Sequence, residues 1–212
     1  MTVKAILFDM DGVLIEAKEW HYEALNRVLD LFGMQISRFD HLTTFDGLPT
    51  RKKLQLLSLE RGLPTELYEF INEMKQRYTM ELVYTQCKPR FVHEYTLASL
   101  KAKGYKMAVC SNSVRQTVET MMDKACLRHY MDYMVSNEDV RNGKPDPEMY
   151  QISMKYFCLE PCECLIVEDN ENGIKAACAS GGHLLVVKDV NEVNLENILK
   201  SISEIDSKTE QG

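Results

Sequence analysis

Val3-Lys4-Ala5-Ile6-Leu7-Phe8-Asp9-Met10-Asp11-Gly12 decides how the rest of the chain is read. The run from Val3 to Phe8 is apolar but for Lys4, as a strand buried on both faces of a parallel sheet must be, and it stops at two carboxylates one residue apart. Three later stretches repeat the form. Lys106 to Cys110 ends before Ser111, Cys164 to Val167 before Glu168, and His183 to Val187 before Lys188 and Asp189. Helical patterns separate them at 94–103 (closed by Gly104), 114–126, 146–157 and 173–180 (closed by Gly181). Such alternation predicts an α/β fold, a doubly wound parallel sheet with right-handed crossovers.

The interval 16–86 breaks the rhythm. Its apolar residues recur at helical spacing: Trp20, Leu25, Val28, Leu29 and Phe32, then Leu54, Leu57 and Leu59, then Leu67, Phe70, Ile71 and Met74. Gly33, Gly47, Pro49, Gly62 and Pro64 punctuate it, and no strand is expected there. The organisation that follows is a discontinuous core of residues 1–15 and 87–212 with an all-helical insertion over 16–86. Leu195 to Ile202 reads as a last short helix, and the polar tail from Ser203 to Gly212 is expected to fray.

With 212 residues, 45% hydrophobic and 27% charged, the chain has the material for one large domain with an insertion and a proper core. Twenty-five basic against 32 acidic residues, net charge -7, with no long Lys/Arg cluster, argue against a nucleic-acid partner. No apolar run approaches the roughly 20 residues that cross a bilayer, so no membrane partner is expected and a cytoplasmic location is. The seven cysteines are an odd count without a disulfide framework. Cys110 and Cys178 lie in apolar runs as small hydrophobes, and Cys158, Cys162 and Cys164 lack the partners of a zinc set.

In open parallel sheets, ligands bind beyond the carboxyl ends of the strands, so the residues that follow each apolar run belong together. Asp9 and Asp11, two apart in extended backbone, face one side, and Gly12 lets the chain turn away. Two crowded carboxylates call for a cation or a proton between them. Magnesium, with its hard oxygen ligands, suits the pair; a calcium loop does not, because position 5 is Val13 and the glycine stands at 4. Ser111-Asn112-Ser113 offers a hydroxyl, an amide and backbone N–H groups ahead of a helix, with a plain helix cap at Ser113 as the alternative. Lys144, in Gly143-Lys144-Pro145-Asp146-Pro147, is kept extended by the proline after it and is a compact charge for a phosphoryl group, or else a solvated loop lysine. Asp146 is placed to cap the next helix. Glu168-Asp169 adds acidic oxygens, with capping as the alternative for Asp169.

These four motifs in this order resemble the haloacid dehalogenase superfamily, in its phosphatase and β-phosphoglucomutase-like branch, over nearly the whole chain. The resemblance implies a Rossmann-like core with a small helical cap inserted after the first motif. It implies a phosphatase of a small phosphorylated metabolite, with Asp9 as nucleophile forming an aspartyl-phosphate and Asp11 as general acid and base. It implies Mg2+ held by Asp9, the Asp11 carbonyl and Asp169, with Glu168 in or beside the shell, and phosphoryl oxygens held by Ser111, Asn112 and Lys144. The partner is then a small-molecule phosphate ester, and the protein a monomer or weak dimer.

Phe45-Asp46-Gly47-Leu48-Pro49-Thr50-Arg51 resembles the specificity loop of this branch, making Gly47, Thr50 and Arg51 candidate substrate contacts. Arg51, Lys52 and Lys53 read more readily as a solvated helix face, and Lys75 likewise. His21 matches a histidine of β-phosphoglucomutase, yet packing on an amphipathic helix is its preferred reading. Thr50 and Ala17 stand where the mutase has an arginine for the distal phosphate and a hinge threonine, so a hydrolase is preferred, with a phosphosugar mutase as the alternative.

Overall fold

The computed structural model describes residues 2–45 and 48–209. Five strands, β1 (Ala5–Phe8), β2 (Lys106–Cys110), β3 (Tyr133–Val135), β4 (Cys164–Glu168) and β5 (His183–Val186), form one parallel sheet in the order β3-β2-β1-β4-β5. The chain winds outward from the central β1 through β2 to β3, then crosses back to β4 and β5, so the strand order reverses at β1. That reversal is where open parallel sheets leave a crevice for a ligand.

Both faces of β1 are covered. Ala5 and Leu7 join Ala108, Cys110, Cys164 and Ile166 beneath Met149, Tyr150 and Met154 of helix Glu148–Phe157 and Ala176 and Ala177 of helix Glu171–Ser180. Ile6 and Phe8, which alternation turns to the other face, are equally buried. This is the expected doubly wound sheet. Its register positions the site. Phe8 pairs with Val109 on one side and Val167 on the other, so one further step brings Asp9 level with Cys110 and Glu168. Asp9 N–H carries the ladder on by donating to the Val167 carbonyl at 3.0 Å.

β3 escapes the apolar-run pattern because it is three residues long and two of them are only half-buried, too short for a period to show. Asp132 fixes its pairing, donating its N–H to the Met107 carbonyl at 2.8 Å and accepting the Met107 N–H at 2.9 Å. The tail expected to fray from Ser203 is instead helical: the last helix runs Leu195–Thr209. Ile198 and Ile202 are buried, and Asp206 accepts the Val3 N–H at 3.0 Å, which ties the helix to the entrance of β1. A polar sequence with tertiary partners does not fray.

A second compact unit, Ala17–Gln86, is distinct from the unit built on the sheet. Its described residues form helices Lys18–Asp30, Arg38–Asp40, Thr50–Arg61 and Tyr68–Gln86, a π turn His41–Phe45 and a 3-10 turn Thr65–Leu67. Leu25, Val28, Leu29, Leu54, Leu57 and Ile71 make its core with Ile36, Phe45 and Leu63. Leu59 and Phe70 do not belong to it: they are 84% and 44% exposed. Two residues past Leu57 is about 200° around a helix and one residue before Ile71 is about 100°, so neither lies on the buried stripe. No helix among the described residues is long and apolar enough to cross a membrane.

A chain ended after Ile202 is expected to lose about 1–3 kcal/mol of stability, since Val3 N–H loses its acceptor and the last helix its final turns. Urea unfolding of the two lengths measures it, and coincident midpoints would show that the tail contributes nothing.

Candidate active site

Past β1 the chain reverses tightly. The Met10 carbonyl accepts the N–H groups of Leu14 and Ile15 at 3.0 and 2.8 Å, and Gly12 takes φ 97°, a region closed to most residues. This turn keeps Asp11 at the sheet end that Asp9 occupies. Asp9 is buried. Asp11 Oδ2 accepts the hydroxyls of Ser113 at 3.1 Å and Ser111 at 3.4 Å. Ser113 is therefore no helix cap; the capping position of helix Arg115–Lys124 is Val114, which makes no side-chain bond. Ser111 Oγ also accepts the Ser113 N–H at 3.0 Å.

Lys144 is not a solvated loop residue. It is 2% exposed, and its ammonium donates to Asp9 Oδ1 at 2.5 Å, Glu168 Oε1 at 2.7 Å and the Cys110 carbonyl at 2.8 Å. Those three acceptors match its three protons. The loop that delivers it is anchored at two points. Glu148 Oε2 accepts the N–H groups of Arg141 and Asn142, both at 3.0 Å, while Asp146 Oδ1 accepts the Glu148 N–H at 3.0 Å. Asn112 pairs with the backbone of Lys144 itself, at 2.9 Å to its N–H and 3.1 Å to its carbonyl.

Glu168 is fully buried and busy with both oxygens. Oε1 accepts the Tyr150 hydroxyl at 2.5 Å as well as Lys144, and Oε2 accepts the Asp169 N–H at 3.0 Å and the Asn170 amide at 3.3 Å. Helix Glu171–Ser180 is capped by Asn170, which accepts the Gly173 N–H at 3.0 Å, so Asp169 is not the cap. A β-carbon at Gly173 would lie 1.8 Å from Glu168 Oε1, so the helix admits the carboxylate only because that residue has no side chain. Tyr150 went unread in the sequence. It sits in an ordinary helical period, and nothing local marks its hydroxyl as aimed at a buried charge.

Four carboxylates, Asp9, Asp11, Glu168 and Asp169, share this sheet end, and the Lys144 ammonium touches two of them, Asp9 and Glu168. Burial pushes the Asp9 carboxyl well up against the pull of Lys144, and Glu168, Asp169 and Asp11 push it the same way. Burial works against the Lys144 charge, yet Asp9 and Glu168 overcome it and hold the ammonium firmly protonated. Asp9 Oδ2 is buried with no hydrogen-bond partner, a costly position for a carboxylate oxygen. Asp9, Glu168 and Asp169 each offer an oxygen within 4.8 Å of the others. A hard divalent cation fits that donor set. Thiol chemistry does not fit: burial pushes Cys110 up to about 12, and its sulfur lies 3.2 Å from the Ser153 hydroxyl. All seven cysteines are free, and Cys178 is exposed rather than part of the core, being on the outer side of its helix.

Within the helical unit, Lys75 and Lys53 are buried, contrary to the solvated reading, while Arg51 and Lys52 are exposed and Thr50 is half-buried. Lys75 Nζ lies 3.1 Å from His21 Nδ1, so a neighbouring helix receives the charge that solvent was expected to receive. Gly47 lies outside the described residues.

Removing the Tyr150 hydroxyl (Tyr150→Phe) is expected to cost about 1–3 kcal/mol, because it strips a donor from a buried carboxylate. Gly173→Ala is expected to cost at least as much, about 2 kcal/mol or more, through the clash with Glu168. Denaturant midpoints measure both, and a wild-type midpoint for Gly173→Ala would show that Glu168 is not held where described.

The model of the haloacid dehalogenase-like hydrolase family matches residues 6–187. Among curated proteins, a phosphorylated carbohydrates phosphatase of Thermotoga maritima is 29% identical over 182 residues, covering 84% of this chain and 82% of its own. A phosphoglycolate phosphatase of Aquifex aeolicus is 30% identical over 181 residues, covering 84% and 82%. Among solved structures, β-phosphoglucomutase from Clostridium difficile superposes with a TM-score of 0.80 at 21% identity, covering 95% of this chain and 98% of its own. CbbY from Rhodobacter sphaeroides, in complex with phosphate, gives 0.78 at 22% identity, covering 87% and 85%. At those identities the structural likeness is one of fold. The family pattern starts within β1 and ends just past β5, taking in every strand that builds the carboxylate site, and the chain belongs to the haloacid dehalogenase-like hydrolases.

Proposed function

We propose that the chain is a magnesium-dependent phosphatase that hydrolyses a small phosphorylated metabolite through an aspartyl-phosphate on Asp9. One observation carries this reading: Asp9 has one oxygen held by a buried lysine and the other buried with no hydrogen-bond partner, at the sheet end where three carboxylates converge.

A carboxylate approaching a phosphate ester meets like charge, and the barrier of the uncatalysed reaction is among the highest known. The lysine places positive charge at that approach, and the polar atoms around it are preorganised by the folded loops. In the first step an Asp9 oxygen bonds to phosphorus as the ester P–O bond breaks, and Asp11 gives its proton to the departing alkoxide. In the second, water attacks phosphorus, Asp11 takes the water's proton, and the Asp9–phosphorus bond breaks to release phosphate. Ser111 and Ser113 hold Asp11 by their hydroxyls. Ser111 and Lys144 are the groups assigned to phosphoryl oxygens, each turning one proton away from a present acceptor, so that Ser113 is left to hold Asp11. Magnesium, held by Asp9, Asp169 and the Asp11 carbonyl with Glu168 beside it, would supply the positive charge the carboxylates call for.

Substrate choice is assigned to residues 17–86, which enter the chain directly downstream of Asp11. Arg51, Thr50 and the His21–Lys75 pair are its candidate contacts, with Gly47 in the loop ahead of them. The curated relatives named as acting on phosphorylated carbohydrates and phosphoglycolate favour a small phosphate ester of a sugar or a short-chain acid.

Phosphate release across a panel of sugar, polyol and short-chain acid phosphates is expected with Mg2+. It should vanish in EDTA, return on Mg2+ addition, and fall by about 10³-fold or more in Asp9→Asn, the scale on which loss of a covalent nucleophile shows. No release from any compound, together with isomerisation of a phosphosugar primed by its bisphosphate, would establish the mutase instead.

A further inference from the structure

Asn112 follows a serine at a strand end, where an amide is naturally read as a phosphoryl donor. The structure occupies that amide differently. Oδ1 accepts the Lys144 N–H at 2.9 Å and Nδ2 donates to the Lys144 carbonyl at 3.1 Å, so one side chain is matched edge to edge with one residue of backbone 32 positions away. The neighbouring residue makes room for it. A β-carbon on Gly143 would lie 2.5 Å from Asn112 Oδ1, and Gly143 has no positive φ to account for its being glycine.

We propose that Asn112 and Gly143 together form a clamp that sets the position of Lys144, and that Asn112 is a positioning residue rather than a phosphoryl ligand. The backbone at Lys144 lies in a connection between β3 and helix Glu148–Phe157, where no strand ladder fixes it. Its side chain is long and rotamer-rich, yet the ammonium must meet Asp9, Glu168 and the Cys110 carbonyl at once. A fixed backbone is the condition for that three-way contact. The chain uses the same device where no such site exists: Asn26 pairs with both the N–H and the carbonyl of Ile36, each at 2.8 Å, to hold a loop against helix Lys18–Asp30. In both places an asparagine amide stands in for a missing strand partner.

The effect on turnover rests on the phosphatase reading; the clamp itself does not. The experiment compares Asn112→Ala, Gly143→Ala and the double variant, reading hydrolysis of p-nitrophenyl phosphate with Mg2+, inhibition by orthovanadate, and amide hydrogen exchange at Lys144. Each single variant is expected to lower kcat about tenfold while KM and the vanadate inhibition constant stay within about twofold, because a misplaced charge harms the transition state more than ground-state binding. The double variant is expected to be no worse than either single, since both break one contact. Exchange at the Lys144 amide is expected to quicken in all three by about tenfold or more as its acceptor is lost. The proposal is overturned if Asn112→Ala weakens KM or vanadate binding about tenfold while Gly143→Ala leaves them unchanged, the mark of a direct phosphoryl ligand. Losses that multiply in the double variant, or a Lys144 amide that exchanges at the wild-type rate in both singles, overturn it equally. If the wild type cleaves no phosphate ester, the phosphatase reading falls and the exchange rates alone decide the clamp.

Discussion

One ammonium group bears on everything else at the sheet end. Lys144 reaches from the connection after β3 to Asp9 after β1, to the carbonyl of Cys110 at the end of β2, and to Glu168 at the end of β4, so its three protons join three adjacent strands. As a stability device this is poor, because the desolvation of buried charges cancels much of what their attraction returns. Taking the lysine away would be worse, leaving two buried carboxylates without their cation. The geometry suits the role proposed for Asp9, since one of its oxygens is held by a group that cannot move without breaking two other bonds.

Around that ammonium the fold supplies supports that are cheap in sequence and strict in shape. Tyr150, Lys144, the Asp169 N–H and the Asn170 amide engage both oxygens of Glu168 and fix where its carboxylate stands beside Asp9 and Asp169. Gly173 and Gly143 act by lacking a side chain, one to admit a carboxylate and the other an amide. These are interactions between residues far apart in sequence, and they work only once the parallel register has brought Phe8, Val109 and Val167 to one level.

That division explains what could be read without coordinates. The strands β1, β2 and β4 announce themselves because burial on both faces demands apolar runs, and the residues ending those three runs form the candidate site. β5 shows as an apolar run although its residues are half-buried or exposed. β3 does not, being three residues whose place is fixed by Asp132 rather than by composition. The helical unit was legible as a period, yet Leu59 and Phe70 show that apolar residues in a helix need not lie on its buried face. Lys53, Lys75 and Lys144 were each open to a solvated reading, and all three are buried. Burial of a lysine is decided by what the fold places opposite it: His21 for Lys75, and Asp9 and Glu168 for Lys144. Tyr150 and the terminal helix beyond Ser203 were illegible for the same reason, since their partners, Glu168 and Val3, are remote in the chain.

The charge count then constrains how the site can work. Burial raises the Asp9 carboxyl toward the neutral acid, which is no nucleophile, and Glu168, Asp169 and Asp11 push it the same way. A phosphate ester brings more negative charge to the same place. Lys144 cannot offset both in full, because a proton it turned to the ester would be taken from Asp9, Glu168 or the Cys110 carbonyl. On the proposed reading, positive charge from outside the chain would be a condition of the chemistry, and the Asp9 oxygen buried without a hydrogen-bond partner would be the place to receive it. On that reading the cation and the ester would be coupled, each making the other's approach less costly.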